Sequence, residues 1–365
     1  MTTLRPRVLL VLFFLVSVFV VRVPGRAEES GYRIESIAPG IYAALQPEAQ
    51  RFNDSNSVLI VGANDVVVVD SQSSPAKVRR LIGALRELTD KPVRFVINTH
   101  WHGDHVDGNQ AWQEAWPEVE FVGHHTLRTD ILERAAPFRK EQIEAYEKGV
   151  AAAEERLAKG LAADGSTMGE EEAARLPGII ERTREHLDEL RAVRPVTPTL
   201  TYEGEMVLDR GGREIRLLHF VAHSRGDTVV FLPQEKILIT GDLLDELPFG
   251  GHGYPSSWIE TLDRLHFLDF ERIVPGHGGL FEGKGQLLRI RRLLMGLRGE
   301  VRTRTAAGED LEEIRNAIDL SAYREEFAGA DVVAQRNFDA FLPALIERMV
   351  LEAHGKLEDP LVDPE

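Results

Sequence analysis

Thr99-His100-Trp101-His102-Gly103-Asp104-His105 puts three imidazoles and a carboxylate into seven residues, directly after the apolar run Pro92 to Ile97. Histidine is uncommon, and four candidate ligands at this spacing point to a metal site rather than to a polar loop whose histidines cap a neighbouring helix. Zinc takes imidazole nitrogen and carboxylate oxygen, each deprotonated and held from a fixed direction. With His100 and His102 at the extended end of a strand, period-two alternation sends both side chains toward one ion. Gly103 tolerates a bend that other residues avoid, so Asp104 and His105 turn toward a second ion.

Three later segments carry the same chemistry: Ala222-His223-Ser224-Arg225-Gly226-Asp227-Thr228, Ile239-Thr240-Gly241-Asp242 and Val274-Pro275-Gly276-His277-Gly278. Each follows a β-like apolar run, at Ile215 to Val221, Lys236 to Ile239 and Arg272 to Val274. A single histidine after a strand is more often a satisfied polar residue. Strand ends in a sandwich converge on one edge, however, and that edge is where loop-borne ligands gather.

His-x-His-x-Asp-His, with the three later segments in this order, resembles the signature of the metallo-β-lactamase-fold hydrolases. The resemblance implies an α/β fold, a four-layer αββα sandwich, here with a helical-hairpin insertion and C-terminal helices. It implies two zinc ions per chain as cofactors, the first on His100, His102 and His223 and the second on Asp104, His105 and His277. Asp242 then bridges them, and Asp104 and Asp242 are the catalytic carboxylates. The chain has no cysteine, which excludes the lactamase subclass that uses a thiolate on the second ion. Asp242 argues modestly against another lactamase subclass that lacks the bridging acid. His102 stands where the flavodiiron branch has an acid.

The expected chemistry is hydrolysis of an ester, thioester, lactone or lactam carbonyl by a metal-bridging hydroxide, since zinc lowers the pKa of bound water to about 7. Ser224 is then a turn residue rather than a nucleophile. Two other readings compete: a β-lactamase hydrolysing antibiotics in the periplasm, and a non-catalytic metal-binding accessory protein. A complete ligand set argues against the second.

Several nearby residues keep two readings. Asp70, ending Val66 to Val69, either orients a ligand imidazole from below or forms a turn before Ser71. His124 and His125 are structural, or lie beside the site without binding metal. His252 and Tyr254, in Gly250-Gly251-His252-Gly253-Tyr254-Pro255, either reach substrate or belong to a connection.

Around the site the chain reads in blocks. Arg5 and Arg7 precede an apolar run from Val8 to Val21, and Gly25-Arg26-Ala27 offers small residues for cleavage, so 1–27 reads as a signal peptide, cleaved near Ala27 or kept as a membrane anchor. A periplasmic or secreted protein is expected. With 43 basic against 59 acidic residues the formal charge is -16, which repels phosphate backbones. A small-molecule substrate is therefore expected and nucleic acid is not. Residues 28–136 and 195–285 read as the two β-rich halves of the sandwich, with strands from Leu200 to Leu208 among them. Residues 137–194 read as a hairpin of amphipathic helices, Lys140 to Leu161 and Glu170 to Arg191, serving as a pocket wall or as a solvated decoration or dimer arm. Residues 286–354 read as C-terminal helices around Leu287 to Leu297, Leu311 to Ile318 and Val332 to Leu351, and 355–365 as a frayed tail. The oligomeric state is not legible.

Overall fold

Unbroken apolar runs such as Val66-Val67-Val68-Val69 form strands where both faces of a sheet are covered, and this chain covers both faces of two sheets. The computed structural model describes residues 31–360. The expected signal at 1–27 and the last five residues of the expected tail lie outside them. The first sheet runs β1 (Arg33–Ala38), β2 (Ile41–Leu45), β3 (Ser57–Val61), β4 (Val66–Val69), β5 (Val93–Ile97), β6 (Glu120–His124) and β7 (Leu200–Tyr202) in spatial order. Its first four strands are antiparallel and β4 to β7 are parallel. The second contains β8 (Glu205–Asp209), β9 (Glu214–Phe220), β10 (Asp227–Leu232), β11 (Ile237–Gly241), β12 (Arg272–Pro275) and β13 (Phe281–Glu282), ordered from β13 back to β8. It is antiparallel except for the parallel pair of β11 and β12.

Alternation along each strand assigns the layers. Val67 and Val69 join Val230, Leu232 and Ile239 in the core between the sheets. Val66 and Val68 face outward onto Val78, Leu81 and Leu85 of helix α1 (Pro75–Leu88). Beyond the single turn α2 (Gly103–Val106), α3 (Asn109–Ala115) adds Trp112 to that outer layer. After α4 (Thr126–Asp130) comes a hairpin of α5 (Ala136–Lys159) and α6 (Glu170–Arg191). Val229 and Phe231 face the opposite layer, built by α7 (Pro255–His266), α8 (Gly285–Ala306), α9 (Leu311–Ala317), α10 (Ser321–Ala328) and α11 (Val332–Ala353). The architecture is a four-layer αββα sandwich.

Parallel pairs place the site. Parallel strands end on the same edge, so the segments leaving β4 and β5 are neighbours, and so are those leaving β11 and β12. These four segments carry Asp70, the His100 to His105 loop, Asp242 and His277. Thr228 N–H donates to Thr99 O (2.7 Å) and Asn56 N–H to Gly276 O (2.7 Å), tying one sheet's loops to the other's.

The structure corrects four expectations. β5 ends at Ile97, so His100 and His102 lie in an irregular loop and converge by loop geometry, not by strand alternation; Asp104 and His105 follow on α2. The run from Leu200 to Leu208 is split between the sheets, because the chain crosses from β7 to β8 at Glu203 and Gly204. The first hairpin helix starts at Ala136, and a π turn over Ile131–Ala135 leads into it from α4. The described part of the tail is held by Glu358, which accepts two hydrogen bonds from Arg348 (both 2.9 Å).

One buried ion pair clamps the His223 loop to the helical layer: Arg225 Nε donates to Asp130 Oδ1 at 3.0 Å, with both side chains about 1% exposed. Removing one partner of a fully buried pair costs far more than breaking a surface pair. Asp130→Ala is expected to lower stability by about 3–5 kcal/mol, measured by urea unfolding. Glu154→Ala, which breaks an exposed pair with Arg184, is expected to cost at most about 1 kcal/mol.

Candidate metal centre

The seven residues expected to bind metal meet at the sandwich edge in two groups. In the first, His100 Nε2 and His223 Nε2 each lie 3.0 Å from His102 Nδ1. Asp242 Oδ2 is 3.5 Å from His100 Nε2 and 3.4 Å from His223 Nε2. In the second, His277 Nε2 is 3.0 Å and His105 Nε2 3.5 Å from Asp104 Oδ2. Asp242 Oδ1 faces this group, 3.1 Å from His105 Nε2. Asp242 thus lies between the groups, its Oδ1 on His105 and its Oδ2 facing His100 and His223 and 3.6 Å from His277 Nε2.

Three observations test whether metal ions fit. A tetrahedral ion with bonds of about 2.1 Å separates its ligand atoms by about 3.4 Å, and the first group's separations of 3.0–3.5 Å bracket that value. Asp242 Oδ1 and His105 Nε2 are buried and face each other at 3.1 Å, but neither makes a well-formed hydrogen bond, an arrangement that a shared ligand would satisfy. Asp104, Asp107, Asp242 and Asp245 line the cavity above the site with no Lys or Arg among its lining residues, a set of oxygen donors that suits cations. The residues fit two cations.

Protonation agrees for the first group. Burial lowers His100 and His102 well below the ordinary imidazole range, chiefly by desolvation, leaving neutral rings with lone pairs to give. For His105 and His277 burial pushes the same way, but nearby carboxylates, Asp242 first, outweigh it and raise both, His277 to about 10. A metal cation would compete with those protons.

Outer hydrogen bonds aim the rings. Asp70, held in the left-handed region at φ 65°, accepts from Thr99 N–H (2.8 Å), Thr99 Oγ1 (2.8 Å) and His105 Nδ1 (2.8 Å). It orients a candidate ligand, as the first of its two sequence readings had it. His223 Nδ1 donates to Phe249 O (2.9 Å), leaving Nε2 for the site. His102 Nε2 lies 2.8 Å from His252 Nδ1, so the glycine-rich loop reaches the site through His252. At Gly276 a Cβ would stand 2.1 Å from Asp242 Oδ1, so only glycine lets the chain pass there to His277.

The other candidates lie elsewhere. His124 stacks on His219 with ring centroids 3.6 Å apart, and burial first, then His219, lowers it to about 3. His125 is exposed. Ser224 donates to Asp227 Oδ1 (2.6 Å) within its own turn. Tyr254 points to Glu358 (3.4 Å). Sequence reasoning missed Asp245, which accepts from His277 N–H (2.9 Å) and whose carboxyl is raised by burial and by Asp242. Its place three residues after Asp242 gives no ligand signal. It also missed the cavity, about 250 Å³, walled by Phe52, Phe138, Tyr146, Phe249 and Phe341. These come from four distant parts of the chain, and no local pattern joins them.

A sandwich with two clustered groups of His and Asp at its edge defines a class, and comparison with known proteins agrees. The profile of the metallo-beta-lactamase superfamily matches residues 51–277. The linear primary-alkylsulfatase of Pseudomonas sp. (strain ATCC 19151) is 22% identical over 250 residues, covering 64% of this chain and 43% of that protein. This chain therefore spans less than half the length of that relative. The acyl-coenzyme A thioesterase MBLAC2 of Bos taurus is 24% identical over 277 residues, covering 71% of this chain and 85% of that protein. Among solved structures, the stereoselective inverting sec-alkylsulfatase Pisa1 from Pseudomonas sp. shares the fold, with a TM-score of 0.57, 15% identity and coverage of 87% of this chain and 50% of that one. The chain belongs to the metallo-beta-lactamase superfamily.

Asp70→Ala removes the acceptor for His105 Nδ1 and for the Thr99 N–H. Loss of such an outer partner lowers metal affinity by about 10–100-fold. Competitive chelation followed by metal analysis should show this drop with the fold retained by circular dichroism.

Proposed function

We propose that the chain is a zinc-dependent hydrolase, with two ions per chain, that cleaves a carbonyl ester or thioester carrying an apolar acyl group. The observation that carries this reading is the Asp242 carboxylate, buried between the two ligand groups and within 3.6 Å of imidazoles in both. His100, His102, His223 and Asp242 would hold one ion, and Asp104, His105, His277 and Asp242 the other. Two zinc ions held there supply Lewis acidity and hydroxide at neutral pH.

The chain's own contribution is to hold the ligands, seat the substrate and exclude water. Asp70, His252 and the Phe249 carbonyl fix ligand rings before substrate arrives, so little reorganisation is left for the reaction. The aromatic walls of the cavity receive an apolar acyl group. With no Lys or Arg among its lining residues, the cavity lacks a direct partner for a sulfate, which favours the neutral carbonyl. Similarity to an acyl-coenzyme A thioesterase supports this choice. The basic and then apolar N-terminus supports work outside the cytoplasm, in the periplasm or secreted.

Purified enzyme should carry close to two equivalents of zinc and hydrolyse members of a panel of S-acyl thioesters, aryl esters, an acyl-homoserine lactone and nitrocefin. Chelation should reduce turnover by at least about 100-fold, and added zinc should restore it. His102→Ala should lose turnover to a similar degree while keeping its folded spectrum. Undiminished turnover in metal-free enzyme would exclude the mechanism, and turnover of nitrocefin alone would reassign the substrate.

A further inference from the structure

A second cavity, about 790 Å³, lies between α5 and α6. Tyr146 lines both this groove and the cavity above the metal centre. Its ring meets His186 edge to face at 5.3 Å, where the two spaces adjoin. From Tyr146 the groove is lined on α5 by Gly149, Val150 and Ala153 and on α6 by Leu176 and Ile180. These residues recur at three and four positions, so each helix offers one continuous apolar stripe.

The groove is open to solvent at Gly149, an exposed residue. A Cβ built on Gly149 meets nothing within 4 Å, although glycine is a poor residue for the middle of a 24-residue helix. The two helices are fastened across one flank by the ion pairs Glu147–Arg191 and Glu154–Arg184. At the far end Arg156 pairs with Glu172 (3.4 Å) and closes the apolar stretch. From Tyr146 to Arg156 at about 1.5 Å per residue, the groove extends about 15 Å. A zigzag of C–C bonds of about 1.5 Å advances about 1.3 Å per carbon, so the groove is as long as roughly a dozen carbons.

We infer that the interhelical groove is the binding site for a linear saturated chain whose head group reacts at the metal centre, entering past Tyr146 and His186. The inference rests on the hydrolase reading above. It commits the groove to the substrate's tail because Tyr146 lines both the groove and the cavity above the ligand groups, and the groove's polar end sets a maximum length. Either an acyl or an alkyl chain has this chemistry.

Two substitutions act as a ruler. Gly149→Leu plugs the groove one turn beyond Tyr146, and Ala153→Leu one turn further. Neither residue touches the metal centre. Wild type, G149L and A153L are assayed with S-acyl thioesters and linear alkyl sulfates from four to sixteen carbons, and titrated with dodecanoate by calorimetry. In wild type, kcat/KM should rise roughly two- to fourfold per methylene until the groove is full. Both variants should match wild type on four-carbon substrates, then plateau in order, G149L about four to five carbons before A153L. Dodecanoate should bind G149L at least about tenfold more weakly. The head group turned over distinguishes acyl from alkyl substrates. If no ester is hydrolysed but G149L still loses dodecanoate, the hydrolase reading fails and the groove assignment stands. Identical length profiles and dodecanoate affinities in all three proteins would overturn it. So would a change in sedimentation of G149L without a change in profile, which would make the groove a contact between copies of the chain.

Discussion

Asp242 is a buried carboxylate that must satisfy two groups of imidazoles at once, and this demand fixes how the two sheets meet. It leaves the end of β11 in the second sheet, whereas His100, His102, Asp104 and His105 leave β5 in the first. A one-residue slip in the register of β5 or β11 would turn that strand's inner apolar face outward and carry its ligands away with it. The inter-sheet core of valine, isoleucine and leucine therefore does more than stabilise: it sets the distance across which Asp242 reaches. The bonds from Thr228 to Thr99 and from Asn56 to Gly276 lock that alignment at the edge itself.

Much of this was legible, and for a physical reason. Metal ligands must be specific residue types, so their chemistry is written in letters, and the strands before them show as apolar runs. Lys236 to Ile239 and Arg272 to Val274 were recognisable as β-like, and so Asp242 and His277 could be assigned to strand ends. Asp70 was ambiguous because an aspartate after a strand can either form a turn or accept from a distant imidazole, as it does here from His105, and the same letter serves both.

What stayed hidden depends on contacts between remote segments. His223 is oriented by the Phe249 carbonyl, and a backbone carbonyl carries no residue-specific signal. The divergence of β7 and β8 into different sheets was invisible in Leu200 to Leu208, since both fates need the same extended backbone. The loop after β5 was misread for a related reason: period-two spacing of His100 and His102 suits a strand, but a loop held by Asp70 and Asn98 reaches the same convergence.

The hairpin's position follows from topology. β6 and β7 are parallel neighbours, and a parallel pair can be joined only by a crossover that returns the chain to its starting end. β6 runs parallel to β5, so that crossover leaves from the edge where the metal loop lies, and any helices placed in it begin beside the site. Arg139, the one buried residue of α5, pairs with Asp107 just past the metal loop, fixing the base of the hairpin to the ligands it overhangs. Hairpin side chains can therefore change without disturbing the sheets, while the ligand set is bound to both. The ligand groups are constrained by the sandwich, and the crossover is the part left free to vary.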